Sequence, residues 1–152
     1  MAWRRRPNPA ELSVDEWTQE RLTLWVGRSL SEVRISEVSL VLSFWEHDDN
    51  FSAWFYAEDI QVSSTGVDDG QLTLRRSSSD VLVALHALLG VSVVRIEVLG
   101  GRLRIAFEGG VEVLVEPQTH AQAWALAFEQ GGSITCRPGG ALDVRPPLDG
   151  DL

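Results

Sequence analysis

Gly27 to Phe44 superimposes without a gap on Gly90 to Phe107, at a constant offset of 63 positions. Gly27 matches Gly90, Ser29 matches Ser92, Leu40 matches Leu103 and Phe44 matches Phe107. Leu30, Val33, Ile35 and Leu42 fall opposite Val93, Ile96, Val98 and Ile105. The apolar positions coincide while the polar ones drift, as expected of two copies that keep one backbone and core face while their surfaces diverge.

Each copy reads as a helix, a glycine and a three-stranded meander. Ser13-Val14-Asp15-Glu16 has the form of a capping box and opens a helix over about 14–26, which Gly27 can end because a positive φ costs glycine little. In the second copy Asp80 opens a helix over Val81 to Leu89, and Gly90 ends it. The strands that follow are Leu30 to Ile35, Val38 to Trp45 and Phe51 to Tyr56 in the first copy. In the second they are Val93 to Leu99, Arg102 to Glu108 and Val111 to Glu116, joined at Gly100-Gly101 and Gly109-Gly110, dipeptides suited to primed hairpin turns.

Between the copies, Asp59 to Gly70 reads as a polar connector before a short strand, Gln71 to Arg75. After them, Thr119-His120-Ala121-Gln122 is a second capping box, and Ala121, Trp124, Ala125 and Phe128 form an apolar stripe at helical spacing. Ser133 to Arg137 and Ala141 to Arg145 make a last hairpin about Pro138-Gly139-Gly140. The expected fold class is α+β: two helix-plus-three-stranded-meander repeats forming one twisted β-rich core, with an added C-terminal helix and hairpin. The expected organisation is a flexible leader over 1–13, a single domain over 14–146 and a frayed tail over 147–152. Within the domain, repeat 1 spans about 14–62, repeat 2 about 79–117, and the appended helix and hairpin 118–146.

At 152 residues a chain can bury about 70% of its unfolded surface, so a core forms without a disulfide or structural metal. Cys136 is the one thiol and has no zinc-type spacing around it, which suits a reducing cytoplasm. A net charge of −9 argues against holding nucleic-acid phosphates and favours a basic partner. No apolar run approaches the roughly 18 residues of a membrane span, and no apolar segment follows the Arg-rich start, so a soluble, unexported protein is expected.

Catalytic patterns are weak. Glu46-His47-Asp48-Asp49 puts three carboxylates and an imidazole together, groups that could hold a hard metal ion or move a proton. Neighbours on a turn point apart, however, and a contact loop is the preferred reading because the second copy lacks these residues. Cys136 alternates with Ile134 and is read as an inward, small apolar side chain. His86, inside the apolar helix, and His120, near the start of another, are read as partly buried or capping-region residues rather than members of a catalytic set. No nucleophile-elbow, metalloprotease, P-loop or dinucleotide pattern occurs, so no cofactor and no catalytic residues are assigned.

The outward faces of the copies differ. The first carries Val41, Trp45, Trp54 and Tyr56 where the second carries Arg104, Glu108, Leu114 and Glu116. Two indoles and a phenol on one surface have the composition of a binding hot spot. The same pattern also fits a sheet buried on both faces, covered by the N-terminal helix with Trp17 and Trp25 or by the helix with Trp124 and Phe128. The candidate binding residues are Trp45, Trp54 and Tyr56, with Glu46, His47, Asp48 and Asp49 as an acidic rim.

From Ala87-Leu88-Leu89-Gly90, through the glycine-pair hairpins, to Ala123-Trp124 and Arg137-Pro138-Gly139-Gly140, the chain resembles a family of small uncharacterised bacterial α+β domains. These share a Leu-Gly opening, paired hairpins, an Ala-Trp helix and a Pro-Gly-Gly end. The resemblance implies a cytoplasmic immunity partner of a secreted polymorphic toxin, and it supplies no catalytic residues to carry over. The expected function is therefore a non-enzymatic protein-binding module, an immunity-type inhibitor that occludes a toxin or other basic partner. The alternatives are a carrier of a small apolar ligand, if the meanders close into a barrel, and a metal-dependent enzyme centred on His47.

Overall fold

The structure, a computed structural model, describes residues 19–46, 49–64, 72–75, 78–128 and 132–145. These residues form eleven strands: β1 Glu32–Ile35, β2 Leu40–Glu46, β3 Asp49–Phe55, β4 Asp59–Ser64, β5 Leu72–Arg75, β6 Val93–Leu99, β7 Arg102–Phe107, β8 Val111–Val115, β9 Trp124–Ala127, β10 Ser133–Cys136 and β11 Leu142–Arg145. One α-helix, α1 (Ser79–His86), lies between β5 and β6, and a short 3-10 turn, Thr23–Trp25, precedes β1. The strands make two antiparallel sheets. Sheet I has the order β1-β2-β3-β9-β10-β11 and sheet II the order β5-β4-β8-β7-β6.

This architecture overturns the α+β expectation. The protein is mostly β, a two-sheet sandwich, and neither sheet is the product of one repeat. Sheet I takes β1, β2 and β3 from the first part of the chain and β9, β10 and β11 from the last; sheet II joins β4 and β5 to β6, β7 and β8. The chain changes sheet twice, after β3 and after β8. The two crossings meet, for the backbone N–H groups of Tyr56 and Ala57 both donate to the carbonyl of Ala123 (2.7 and 3.0 Å).

Two segments account for the error. The stripe assigned to a helix at Ala121 to Phe128 contains β9, Trp124–Ala127, and Thr119, His120 and Ala121 of its capping box lie in bends. Trp124, Leu126 and Phe128 are buried at a spacing of two, which an eight-residue apolar stretch shows as readily as a helical one. The gap between β3 and β10 settles the conformation, because β9 pairs along both sides there. The supposed connector at Asp59 contains β4, where buried Ile60 alternates with half-buried Gln61. Of the expected helix over about 14–26, residues 19–22 are helical and tighten into the 3-10 turn; its capping box lies outside the described residues. Helix α1 is capped by Ser78, whose hydroxyl accepts from the Asp80 amide at 3.0 Å, rather than by Asp80.

The core lies between the sheets. Leu40, Leu42 and Phe44 of β2 and Leu103, Ile105 and Phe107 of β7 all point inward, and Phe44 and Phe107 stack with centroids 6.3 Å apart and an interplanar angle of 22°. Burying each such side chain is worth roughly 1.5–3 kcal/mol. Trp25 packs edge-on against Phe44 and Phe128 and tilted against Phe51, Phe51 meets Phe128 edge-to-face, and the Arg28 guanidinium carbon sits 3.7 Å from the Phe51 centroid.

The offset of 63 reappears in the backbone hydrogen bonds. Ser29 and Ser92 form an isolated antiparallel bridge. Around it, Gly27 N–H donates to Val93 O and Gly90 N–H to Leu30 O, both at 2.8 Å. Leu30 N–H donates to Val91 O and Val93 N–H to Arg28 O, at 3.1 and 2.8 Å. Each bond exchanges with its mate when 63 is added to one residue and taken from the other, the signature of a local two-fold. Helix α1 packs against β1 and β5, edge strands of different sheets, and the 3-10 turn packs against β6, another edge. Helix α1 and the 3-10 turn therefore lie at sheet edges.

Candidate functional site

Residues directly opposed in antiparallel strands share a face, so the register defines the outer surface of sheet I. One row across it reads Arg34, Val41, Trp54, Ala125, Thr135, Asp143. The next reads Glu32, Ser43, Ser52, Ala127, Ser133, Arg145, and a third pairs Trp45 with Asn50. The centre of the face is built of small side chains. Among the described residues its ion pairs sit on the outer strands, Arg34 Nε to Glu32 Oε1 at 3.3 Å and Arg145 Nε to Asp143 Oδ2 at 3.2 Å.

Sheet II presents the opposite chemistry. Arg95 meets Glu97 at 3.0 Å and Glu112 at 3.7 Å, Arg104 meets Glu112 at 3.3 Å, and Arg102 meets Glu116 at 3.0 Å. These pairs cross-link β6, β7 and β8 on the solvent side, where each is worth little in stability but keeps the face wet.

Trp45 and Trp54 are brought to the same outer face but not to one spot. Trp54 stands opposite Val41, and Trp45 lies four residues farther along β2, roughly 13 Å away at the strand rise. Val41, opposite Trp54, and Ser43, between the two indoles along β2, are 5% and 1% exposed, whereas Ser52, Ala125, Ala127, Ser133 and Thr135 are half-buried. At one end Trp45 is 51% exposed. At the other a hollow of about 220 Å³ is lined by Arg34, Ile35, Ser36, Ser39, Val41 and Trp54. Tyr56 is half-buried, just past the end of β3, and burial pushes its phenol above the ordinary tyrosine range.

Of the groups considered as cover for this face, Trp17 lies outside the described residues. Trp25, Trp124 and Phe128 all point into the core. Of the acidic rim, Glu46 and Asp49 face each other across the β2–β3 hairpin as backbone partners, and His47 and Asp48 lie outside the described residues. Among the described residues no three His, Cys, Asp or Glu side chains gather as a metal site. His86 and His120 are exposed rather than partly buried. Cys136 is buried, its thiol donating to the Gly101 carbonyl at 3.4 Å, and burial raises its pKa against a smaller lowering by a backbone hydrogen bond at Ala123.

The residues that sequence reasoning missed are Arg34, Ile35, Ser36 and Ser39. The offset of 63 carries the signal that would have found them: Arg34, Ser36, Ser39 and Val41 correspond to Glu97, Leu99, Arg102 and Arg104, which line a hollow of only about 40 Å³ on sheet II. Long charged side chains fill on one sheet what small ones leave open on the other.

The fold and site define a two-sheet antiparallel sandwich with one charge-laced face and one face of small and aromatic side chains. Residues 18–146 match the profile of a family described as a family of unknown function (DUF6188), and the chain belongs to that family. Neither the curated proteins nor the solved structures offer a significant match. Among the described residues no helix is long and apolar enough to cross a membrane.

Proposed function

We propose that the protein is a non-enzymatic protein-binding module that docks through the outer face of sheet I. The observation supporting this reading is the indole of Trp45, 51% exposed on a strand whose aligned partner position on sheet II is the charged Glu108. A large ring held in place by a paired strand buries much area for little lost freedom, which is what a hot spot requires. The net charge of −9 favours a basic partner and a salt-dependent association rate. Together with the resemblance noted in the sequence, this makes an immunity-type inhibitor seated on a toxin the preferred form of the module. The strands lie in two separate sheets, which gives the barrel-type carrier no enclosing wall.

The test is capture from native lysate on the immobilised protein, then calorimetric titration of the captured partner with wild type and Trp45→Ala. Trp45→Ala should weaken binding by more than about 1 kcal/mol with an unchanged melting temperature. Unchanged affinity would remove this face from consideration.

A further inference from the structure

We infer that the hollow beside Trp54 is a slot for one planar aromatic ring, the side chain of a Tyr, Phe or Trp on the protein partner. This rests on the protein-binding reading and specifies what the far end of that face receives.

Arg34, Val41 and Trp54 are directly opposed on three successive strands. Strands lie about 4.8 Å apart, so the two walls stand roughly 10 Å apart at the backbone, with Val41 as the floor. A ring entering over Val41 would have the Trp54 indole on one side and the Arg34 guanidinium on the other, the partners of an aromatic pair and of a cation–π contact. The Arg34 Nε pairs with Glu32 on the same strand at 3.3 Å, which restrains the guanidinium at the slot. The turn at one end is closed on itself: Ser36 N–H donates to Ser39 O at 2.8 Å, Ser39 N–H donates to Ser36 Oγ at 3.2 Å, and the two hydroxyls lie 3.2 Å apart. With those serines engaged by each other, the slot offers an entering group the Trp54 indole, the apolar side chains of Ile35 and Val41, and the flat guanidinium of Arg34 in its pair with Glu32.

Charge complementarity selects the occupant. The electron-rich face of a ring is attracted to Arg34, whereas a Lys or Arg side chain meets a like charge. The partner's basic residues would engage the acidic remainder of the protein, and an aromatic residue would enter here. Sheet II supplies an internal comparison, since Arg104 stands where Val41 forms the floor and the equivalent hollow shrinks to about 40 Å³.

The test uses p-cresol, the tyrosine side-chain analogue, titrated into the uniformly ¹⁵N-labelled full chain, with cyclohexanol and n-butylguanidinium as comparison probes. The Trp54 indole N–H and the Val41 amide should shift together and saturate in the millimolar range, with both comparison probes at least about fivefold weaker. Val41→Phe, which fills the slot from its floor, should weaken p-cresol at least about tenfold. Arg34→Gln, at an exposed position that the fold tolerates, should weaken it about threefold or more. Shifts that do not saturate, equal response to cyclohexanol, or undiminished binding in both variants would overturn the slot. No partner is needed, so such a failure leaves the Trp45 test of the face standing.

Discussion

The hydroxyl oxygens of Ser29 and Ser92 lie 3.1 Å apart, each at the same place in its own copy of the repeated segment. They mark the local two-fold, and the four backbone hydrogen bonds around them hold the two parts of the chain in register. A half-buried hydroxyl pair contributes about 1 kcal/mol net, and removing one member leaves the other short of a partner. A double-mutant cycle of Ser29→Ala and Ser92→Ala by urea unfolding should therefore give a coupling of about 1 kcal/mol, with the double variant less damaged than the sum of the singles. Strict additivity would mean that the hydroxyls do not interact.

Gly101 touches Gly140 backbone to backbone: a Cβ on Gly101 would fall 2.7 Å from both the Cα and the carbonyl oxygen of Gly140, at a φ of +83°. Gly100, its neighbour in the same turn, has φ +59° and open space around it. Gly100→Ala should thus cost only the left-handed backbone penalty, about 1 kcal/mol. Gly101→Ala adds a collision with backbone that cannot swing away, and should cost at least about 3 kcal/mol in urea denaturation. Equal losses would show that the β6–β7 turn does not seat on the Pro138–Gly140 turn.

That contact shows what the sequence could and could not convey. Gly100-Gly101 and Pro138-Gly139-Gly140 were legible as turns because each needs positive φ, but nothing local said that they meet. The meander strands β1 to β3 and β6 to β8 were readable from alternation and glycine pairs. The assignment of β9 failed because its apolar residues satisfy two periods, and that of β4 because its mostly polar residues read as a connector; in both the choice is made by pairing with strands distant in sequence. Trp45 and Trp54 could be put on one outward face from parity alone. Their separation, and the hollow made by Arg34 and the Ser36–Ser39 turn, depend on register and on side-chain size around Val41.

Cys136 gives a pH-dependent readout. Burial favours the neutral thiol, so its folded-state pKa lies above its unfolded value, and the folded chain holds this proton more tightly. Its contribution to stability is complete below the unfolded thiol value, about pH 8.5, and is lost as pH rises through the folded one. Tyr56 acts in the same direction from about pH 10 upward. The urea midpoint should fall between pH 7.5 and 10, and Cys136→Ala should fall less over that interval. At pH 7.5 a disulfide reagent should label Cys136 at the rate of unfolding; rapid labelling of the native state would refute the burial.

Sheet I is finished by β9, β10 and β11, the last strands described, while its opening strands come from the first third of the chain. During synthesis, a ribosome that has released everything through Val115 has delivered β3 with one edge unsatisfied, waiting for Trp124–Ala127. The pairing that completes it spans some seventy residues, a long loop to close and a slow kind of contact to form. Completion of this sheet therefore belongs to the moments after translation of its final strands, and the bare flank of β3 is where a nascent chain most needs shielding from its neighbours.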